Sequence, residues 1–480
     1  MKAAETMIRS RRRIAWLIVA LLLAVGSYQL NNTMIAPANP LIIQELGSDT
    51  ATVGLAQTLF LLMGAISAII VTRISDWTGR RKALLFSLGV LMAGNLAAAL
   101  APNIGLFLVG RTVSGMCGAV YAFAFLILHD VLELKTFSRA LAIIAAVKAG
   151  LGGGEAVLAG AVVDGLGFRA VFWIMLGFTA VALVVCRLAV PETVSQRPQR
   201  VDWAGSLLIA GGLTGVSLAL SQGGKWGWAS VPTWAVLLGG LALLLLFPVV
   251  ERRAVAPLMR PSELRSRNAW PLLAANVLIL AGAFGATGFV LPLLAQNAAV
   301  GFGMSATQAA LLYVMPVSLV GFALAPVAGT IAPRVGWRSI LLVGTTVTVL
   351  ALGVLAAFSG QPVVAFVVAL VLGGFYTGMV LTALDGLGVL LASREEPGAL
   401  TGFNTAAFGI GASLGVAVTG GVITSLQTDG APTSAGYVVA LWICAALVLA
   451  GLAFALLIPS RNVGIVPAPA ETKGSPVRIE

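Results

Sequence analysis

Apolar runs about 20 residues long, each closed by Gly, Pro or charge, recur from end to end of this chain, and no other feature restricts its fold so tightly. Hydrocarbon offers the backbone no water, so each run must close its hydrogen bonds within itself, which a helix does and an isolated strand does not. Fourteen such windows are visible, the first at about 14–36 and the last at about 436–458. With 59% hydrophobic and 10% charged residues, the chain has too little polar surface to stay dispersed in water. It reads as an all-α polytopic membrane protein, to be counted in helices.

An even number of crossings puts both termini on one side. With the N-terminus in the cytoplasm, the two tails and six of the connections hold about 25 of the 29 Lys and Arg, while the opposite loops hold only Arg169 and Lys225. The expected location is therefore the inner or plasma membrane, with both termini cytoplasmic. The net charge of +11 belongs to this topology and to contact with anionic lipid, and no nucleic-acid partner is expected. The start "MIRSRRRIAWLIVALLLAVGSYQL" is basic, but its apolar run is long enough to span, so it reads as a retained first helix. The Pro-rich residues 459–480 read as a disordered cytoplasmic tail.

Two segments repeat. "ISDWTGRRKALL" from Ile74 and "IAPRVGWRSILL" from Ile331 match at Ile74/Ile331, Gly79/Gly336, Arg81/Arg338 and the two closing leucines. Each lies between the second and third helix of a six-helix set, which points to duplicated halves and hence to a transporter architecture. The expected organisation is a tail at 1–13, an N-terminal six-helix bundle at 14–190, an inserted two-helix hairpin with flanking loops at 191–268, a C-terminal six-helix bundle at 269–458, and the tail.

The motifs carry a resemblance. "ISDWTGRR" resembles the loop motif Gly-x-Leu-Ala-Asp-Arg-x-Gly-Arg-Arg of the major facilitator superfamily, with Asp76, Gly79, Arg80 and Arg81 in register, Thr72 in place of the leading Gly and Trp77 in place of an Arg. "GRTVSGMCGA" is similar to the fourth-helix motif at Arg111, Gly115 and Gly118, and "LNNTMIAPANP" to the first-helix signature of the fourteen-helix drug:proton antiporter branch, with Asn31 where that branch usually carries Asp. "GGGEAVLAGAVVDGLGFRAVFW" keeps the shape of the antiporter motif around Gly160 and Asp164, but Glu155 and Ala156 stand where a Gly-Pro pair is expected. The resemblance implies the major facilitator fold, fourteen transmembrane helices in two six-helix bundles plus a hairpin.

Ionisable residues inside apolar spans are costly, by at least ~2.5–3.5 kcal/mol at the centre, and each is a candidate functional group. Arg111, Lys148, Glu155 and Asp385 are the clearest. Arg111 and Glu155 fall at similar depth on antiparallel helices, so they are expected to pair. Two readings stay open: Glu155 takes up a proton and Arg111 senses it, or the two form a static buried ion pair. Asp385 is either a proton or cation site or a partner for Arg394, and Lys148 snorkels to the boundary. His129-Asp130 reads as a solvated loop beside Glu133, Lys135 and Arg139 rather than a proton relay. Asp76, Gly79, Arg80 and Arg81 either latch one conformation or only fix topology. Tyr28, Gln29, Asn31 and Asn39 either line a substrate cavity or bond between helices, and Pro37 and Pro40 bend the first helix.

No Walker loop, Ser-His-Asp grouping or metal-ligand spacing is present, and Cys117, Cys186 and Cys444 stand singly on apolar runs. The expectation is therefore no enzyme, catalytic residue, cofactor or metal site, but a monomer whose partners are a small-molecule substrate, protons and membrane lipids. Its expected function is proton-coupled export of small amphipathic compounds, such as drugs or antibiotics, by alternating access. The alternative is a proton-uncoupled exporter or uniporter, or a lipid or metabolite transporter, of the same fold.

Overall fold

Proline and glycine set where helices stop in so apolar a chain, as the computed structural model shows over residues 2–132, 153–192, 202–254, 265–391, 397–428 and 430–459. Among these described residues all regular structure is helical, apart from an isolated bridge between Thr428 and Ala431. The crossings are α1 Arg12–Glu45, α2 Thr50–Thr72, α3 Arg80–Ala99, α4 Ile104–Leu128, α5 at residues 153–166, α6 Phe168–Ala189, α7 Trp203–Trp226, α8 Val231–Glu251, α9 Trp270–Gln296, α10 Ala306–Ala332, α11 Trp337–Ala357, α12 Pro362–Leu390, α13 Gly402–Ser425 and α14 Ser434–Ala455. Among the described residues thirteen are long and apolar enough to cross a membrane, and α5 is a shorter helix. Lys148, the loop from Glu133 to Arg139, Arg394, the tail after residue 459 and the side chains of Asp76 and His129 lie outside the described residues.

The helices gather into two bundles and a hairpin. In the first bundle Leu21, Leu88, Phe123 and Cys186 share one core, and Met34, Phe107, Phe168 and Met175 share another. A single larger core runs through α9 to α14, from Leu272 to Val448. The hairpin α7–α8 closes on itself at Gly212 and Gly240, where a Cβ would strike the facing helix. Leu213 of α7 packs on Leu62 and Ile66 of α2, and the Ser221 hydroxyl donates to the Ala51 carbonyl at 3.0 Å. Gly421 of α13 meets the Leu220 carbonyl, so α7 touches both halves.

Several crossings are interrupted. In α1 the α-helix ends at Thr33, a 3-10 turn follows over Ala36–Ala38, and a short helix Asn39–Glu45 completes the span. Pro37 and Pro40 sit at the start of the last two elements, where their missing N–H groups cost nothing but forbid continuation from the preceding turn. α4 runs from Ile104 to Gly115 and restarts at Val120. In the other half the interruptions are π turns, Gly285–Val290 in α9, Ala310–Val314 in α10 and Gly373–Val380 in α12. The α4 and α12 breaks come after comparable first stretches of 12 and 11 residues.

The repeated loop is also repeated in backbone. Gly79 has φ 97° and ψ 139°, and Gly336 has φ 87° and ψ 137°, a region closed to residues with a Cβ. Each ends the second helix of its half and starts the third, on the face where α6 and α14 end, called here the terminal face.

Candidate functional site: a polar network at the break in α1

A helix that stops inside a bundle leaves its last carbonyls without intrahelical partners. In α1 the Leu30 carbonyl still accepts from the Met34 N–H, the carbonyls left over belong to Asn31 to Thr33, and side chains from α4 and α2 take up two of them. Arg111 Nη2 donates to the Asn31 carbonyl and to Gln57 Oε1, both at 3.1 Å, and Nη1 reaches Asn31 Oδ1 at 3.5 Å. Gln57 Nε2 donates in turn to the Asn32 carbonyl and side chain at 3.4 Å. Arg111 is 0% exposed and its guanidinium lies over the Phe60 ring, 4.2 Å from the centroid. A buried cation here is stabilised by the negative end of a helix dipole, by amide oxygens and by a π face, with no carboxylate bound to it among the described residues.

The network extends from Thr33 toward α5. The Thr33 hydroxyl lies 3.1 Å from the Gln29 carbonyl and also bonds Glu155 Oε1. Glu155 is 6% exposed and its second oxygen has no hydrogen-bond partner. Tyr121 of α4 donates to Gln29 Oε1 at 2.7 Å, and its ring meets Tyr28 edge-on at 5.6 Å between centroids. Tyr28 stacks on Phe60 at 5.0 Å, which closes the path back to Arg111.

The expected pairing of Arg111 with Glu155 does not form. Both face α1 at its break, but Arg111 is engaged by Asn31 and Gln57, and Glu155 by Thr33. Asn31 is fully buried and binds Arg111 while its Nδ2 donates to the Ser27 carbonyl at 3.0 Å; Tyr28 and Gln29 belong to the same network. Asn39 lies beyond the break, buried, with its Oδ1 unpartnered. Asp385 sits exposed on α12 in the other half, near that helix's end at the terminal face, and is not part of this network. Gln57, Thr33, Tyr121 and Phe60 were not singled out from the sequence. Gln57 alone had a visible signal, as an amide within the apolar run "VGLAQTLFLL".

The repeated-loop residues bind within their own half. Arg80, buried, pairs with Asp130 and donates to the Leu126 carbonyl at 2.9 Å, both at the end of α4. Arg81 donates its backbone N–H to Glu192 at 3.1 Å and its guanidinium to the Arg187 carbonyl at the end of α6. On the opposite, far face a tie crosses the halves. Asp164 at the end of α5 accepts from the Ala306 and Thr307 N–H groups at 3.0 and 2.9 Å and from the Thr307 hydroxyl at 2.5 Å, capping the first turn of α10.

Comparison with known proteins fits this architecture. The sequence pattern of the Major Facilitator Superfamily matches residues 21–416 and, in a second overlapping placement, residues 277–479. The chain is 31% identical over 461 residues to a uridine/deoxyuridine transporter of Lactococcus lactis, covering 94% of this chain and 95% of that protein. It is 28% identical to the tetracenomycin C resistance and export protein of Streptomyces glaucescens, covering 86% and 76%. Among solved structures, a POT family transporter in complex with 5-aminolevulinic acid superposes with a TM-score of 0.66 at 14% identity, over 93% of this chain and 96% of that one, a likeness of fold. Two helical halves with a repeated loop, thirteen helices among the described residues that are long and apolar enough to cross a membrane, and one family pattern matched along nearly the whole length make this chain a membrane transporter of the Major Facilitator Superfamily.

Proposed function

We propose that the protein is a proton-coupled secondary transporter working by alternating access between its two halves, with Glu155 carrying the proton. The observation behind this reading is a carboxyl group buried between α1 and α5, held by one hydroxyl and joined to no cation among the described residues. Such a group is costly as an anion and cheap as a neutral acid, so its charge state is set by whichever face opens water to it. Arg111 in this reading holds the broken end of α1 together through its bonds to Asn31 and Gln57 and does not itself carry the proton.

Two solute classes have specific support. Amide and hydroxyl groups dominate the network at the break, and the relative aligned over almost its full length is a uridine/deoxyuridine transporter, which favours a neutral solute rich in hydrogen-bonding groups, a pyrimidine nucleoside first. Export of amphipathic antibiotics by proton antiport has the support of the tetracenomycin C exporter and of the antiporter-like motifs. In proteoliposomes of known protein orientation, labelled uridine would be measured under pH gradients of either sign, beside a panel of lipophilic antibiotics. Uridine moving with the proton supports the first class, and antibiotic moving against it the second. Gradients of either sign leaving every flux unchanged would refute proton coupling.

A further inference from the structure

The Thr33 hydroxyl has one hydrogen and two acceptors within reach, the Gln29 carbonyl one turn back on α1 and the Glu155 carboxyl on α5. If Glu155 carries a proton, its O–H donates to Thr33 Oγ1, Thr33 donates onward to Gln29, and both contacts are made. If Glu155 is ionised it can only accept, so Thr33 must turn its hydrogen to the carboxylate and leave the Gln29 carbonyl. A Thr hydroxyl bonded to the carbonyl four residues back bends the helix that carries it. This helix turn is the last before the break, and Arg111 and Gln57 hold the carbonyls of the two residues just before Thr33.

We infer that Thr33 is a positioning residue that converts the charge of Glu155 into a change of bend at the end of the α1 helix, by reversing the direction of its hydrogen bond. The inference rests on the assignment of the proton to Glu155. Among the described residues, Tyr121 of α4 is the titratable group that acts on that carboxyl, with Tyr28 of α1 and then Arg111 of α4 beyond it in the network. From α10, Met315 and Ser318 face the start of α5 at Gly153, and neither titrates. Among the described residues of the network no second carboxylate competes for the proton, and Thr33 is the group through which the described structure connects Glu155 to the backbone of α1.

The test needs no identified solute. Purified protein in lipid would be followed by pH-difference infrared spectroscopy and by hydrogen exchange, corrected for intrinsic rate, over the segment from Gln29 to Ala38. The wild type should show a carboxylic C=O band that disappears as the pH rises, with a matching change in exchange of about fivefold or more in that segment. Glu155→Gln should remove the band and fix the exchange rate. Thr33→Val, which keeps the shape and deletes the hydroxyl, should keep the band but shift it upward, for want of its acceptor, and reduce the exchange response to less than about twofold. Thr33→Ser should restore both. A titrating band that survives in Glu155→Gln would remove the proton assignment and this inference with it. A band lost in Glu155→Gln, but unshifted in Thr33→Val with the exchange response intact, would overturn the role of Thr33 and leave Glu155 as the proton carrier. Unchanged thermal unfolding of the valine variant would show that its altered response is not a folding defect.

Discussion

The two copies of the repeated loop share a backbone and differ in charge. Gly79 and Gly336 adopt nearly the same positive-φ conformation, and Arg81 and Arg338 each donate to a carbonyl at the end of the sixth helix of their own half, Arg187 and Leu456 respectively. Around this common frame the first copy places Arg80, buried against Asp130, where the second has Trp337, whose ring lies against Gly386. Duplication has kept what the turn needs physically, a glycine and a helix-end cation, while charge elsewhere is specific to one half. The site follows the same division. Counting back from the matched breaks, Arg111 of α4 corresponds to Val368 of α12, so among the described residues the first half has a buried cation at this depth where the second has a buried valine.

The difference between halves is broken most severely at Arg111. Replacing it with Leu strands the Asn31 carbonyl, Asn31 Oδ1 and Gln57 Oε1 in a buried site, at about 1–3 kcal/mol for each acceptor left unmet, which neighbouring donors offset in part. The expected outcome is a loss of several kcal/mol in unfolding stability in lipid, with transport abolished. A variant of wild-type stability would mean that the end of α1 needs no cation.

The joint glycines come next. Alanine at either position incurs roughly 1–3 kcal/mol of backbone strain. At Gly79 the added Cβ would also lie 2.4 Å from Glu192 Oε1, the acceptor for Arg81 N–H, whereas at Gly336 the nearest atom, Ser339 Oγ, is 3.9 Å away. Gly79→Ala should therefore lower the unfolding temperature more than Gly336→Ala. Equal losses would show that Glu192 moves aside freely and that backbone conformation is the whole effect.

Asp164 tests the contrast between faces. The terminal-face bonds of Arg80, Arg81 and Arg338 remain within one half, but the Asp164 cap on α10 joins the halves across the far face. Asp164→Ala should weaken that tie by about 0.5–2 kcal/mol, the usual value of a helix cap, and shift the balance of conformations toward far-face opening. Spin-label distances between α5 and α10 at that face would report it. An unchanged distance distribution would make the cap a feature of stability alone.

Much of this architecture was legible in the sequence because its causes are local. Apolar length and a repeated Gly-x-Arg each act within a few residues, so the crossings and the repeated joint could be read without a fold. Pro37 and Pro40 likewise announced the interruption of α1. Which group would meet Arg111 was not legible, because depth alone suggested Glu155, and the breaking of α1 creates acceptors that no side chain displays. Backbone carbonyls of Asn31 and Asn32 have no signature in the residue names, and Thr33 looks like any helix threonine until α5 is laid against it. Arg80 and Arg81 bond inside one half, partners that the spacing of a loop motif does not state, while the side chain of Asp76, the acid of the same motif, lies outside the described residues.

The smallest effect gives the sharpest test of the duplication. Arg81→Ala and Arg338→Ala each remove a guanidinium from the carbonyls at a helix end, worth about 0.3–1 kcal/mol at an exposed site. If the two arginines survive from one ancestral joint for the same physical reason, the losses should agree within the error of the unfolding measurement. In Arg81→Ala the backbone bond to Glu192 persists, so the comparison isolates the side chain. A distinctly larger loss at Arg81 would mean that the neighbouring charges of the first copy, Arg80 with Asp130 and Glu192, act together with it as one network. A larger loss at Arg338 would mean that the second half depends more heavily on the bond between its joint and the end of α14.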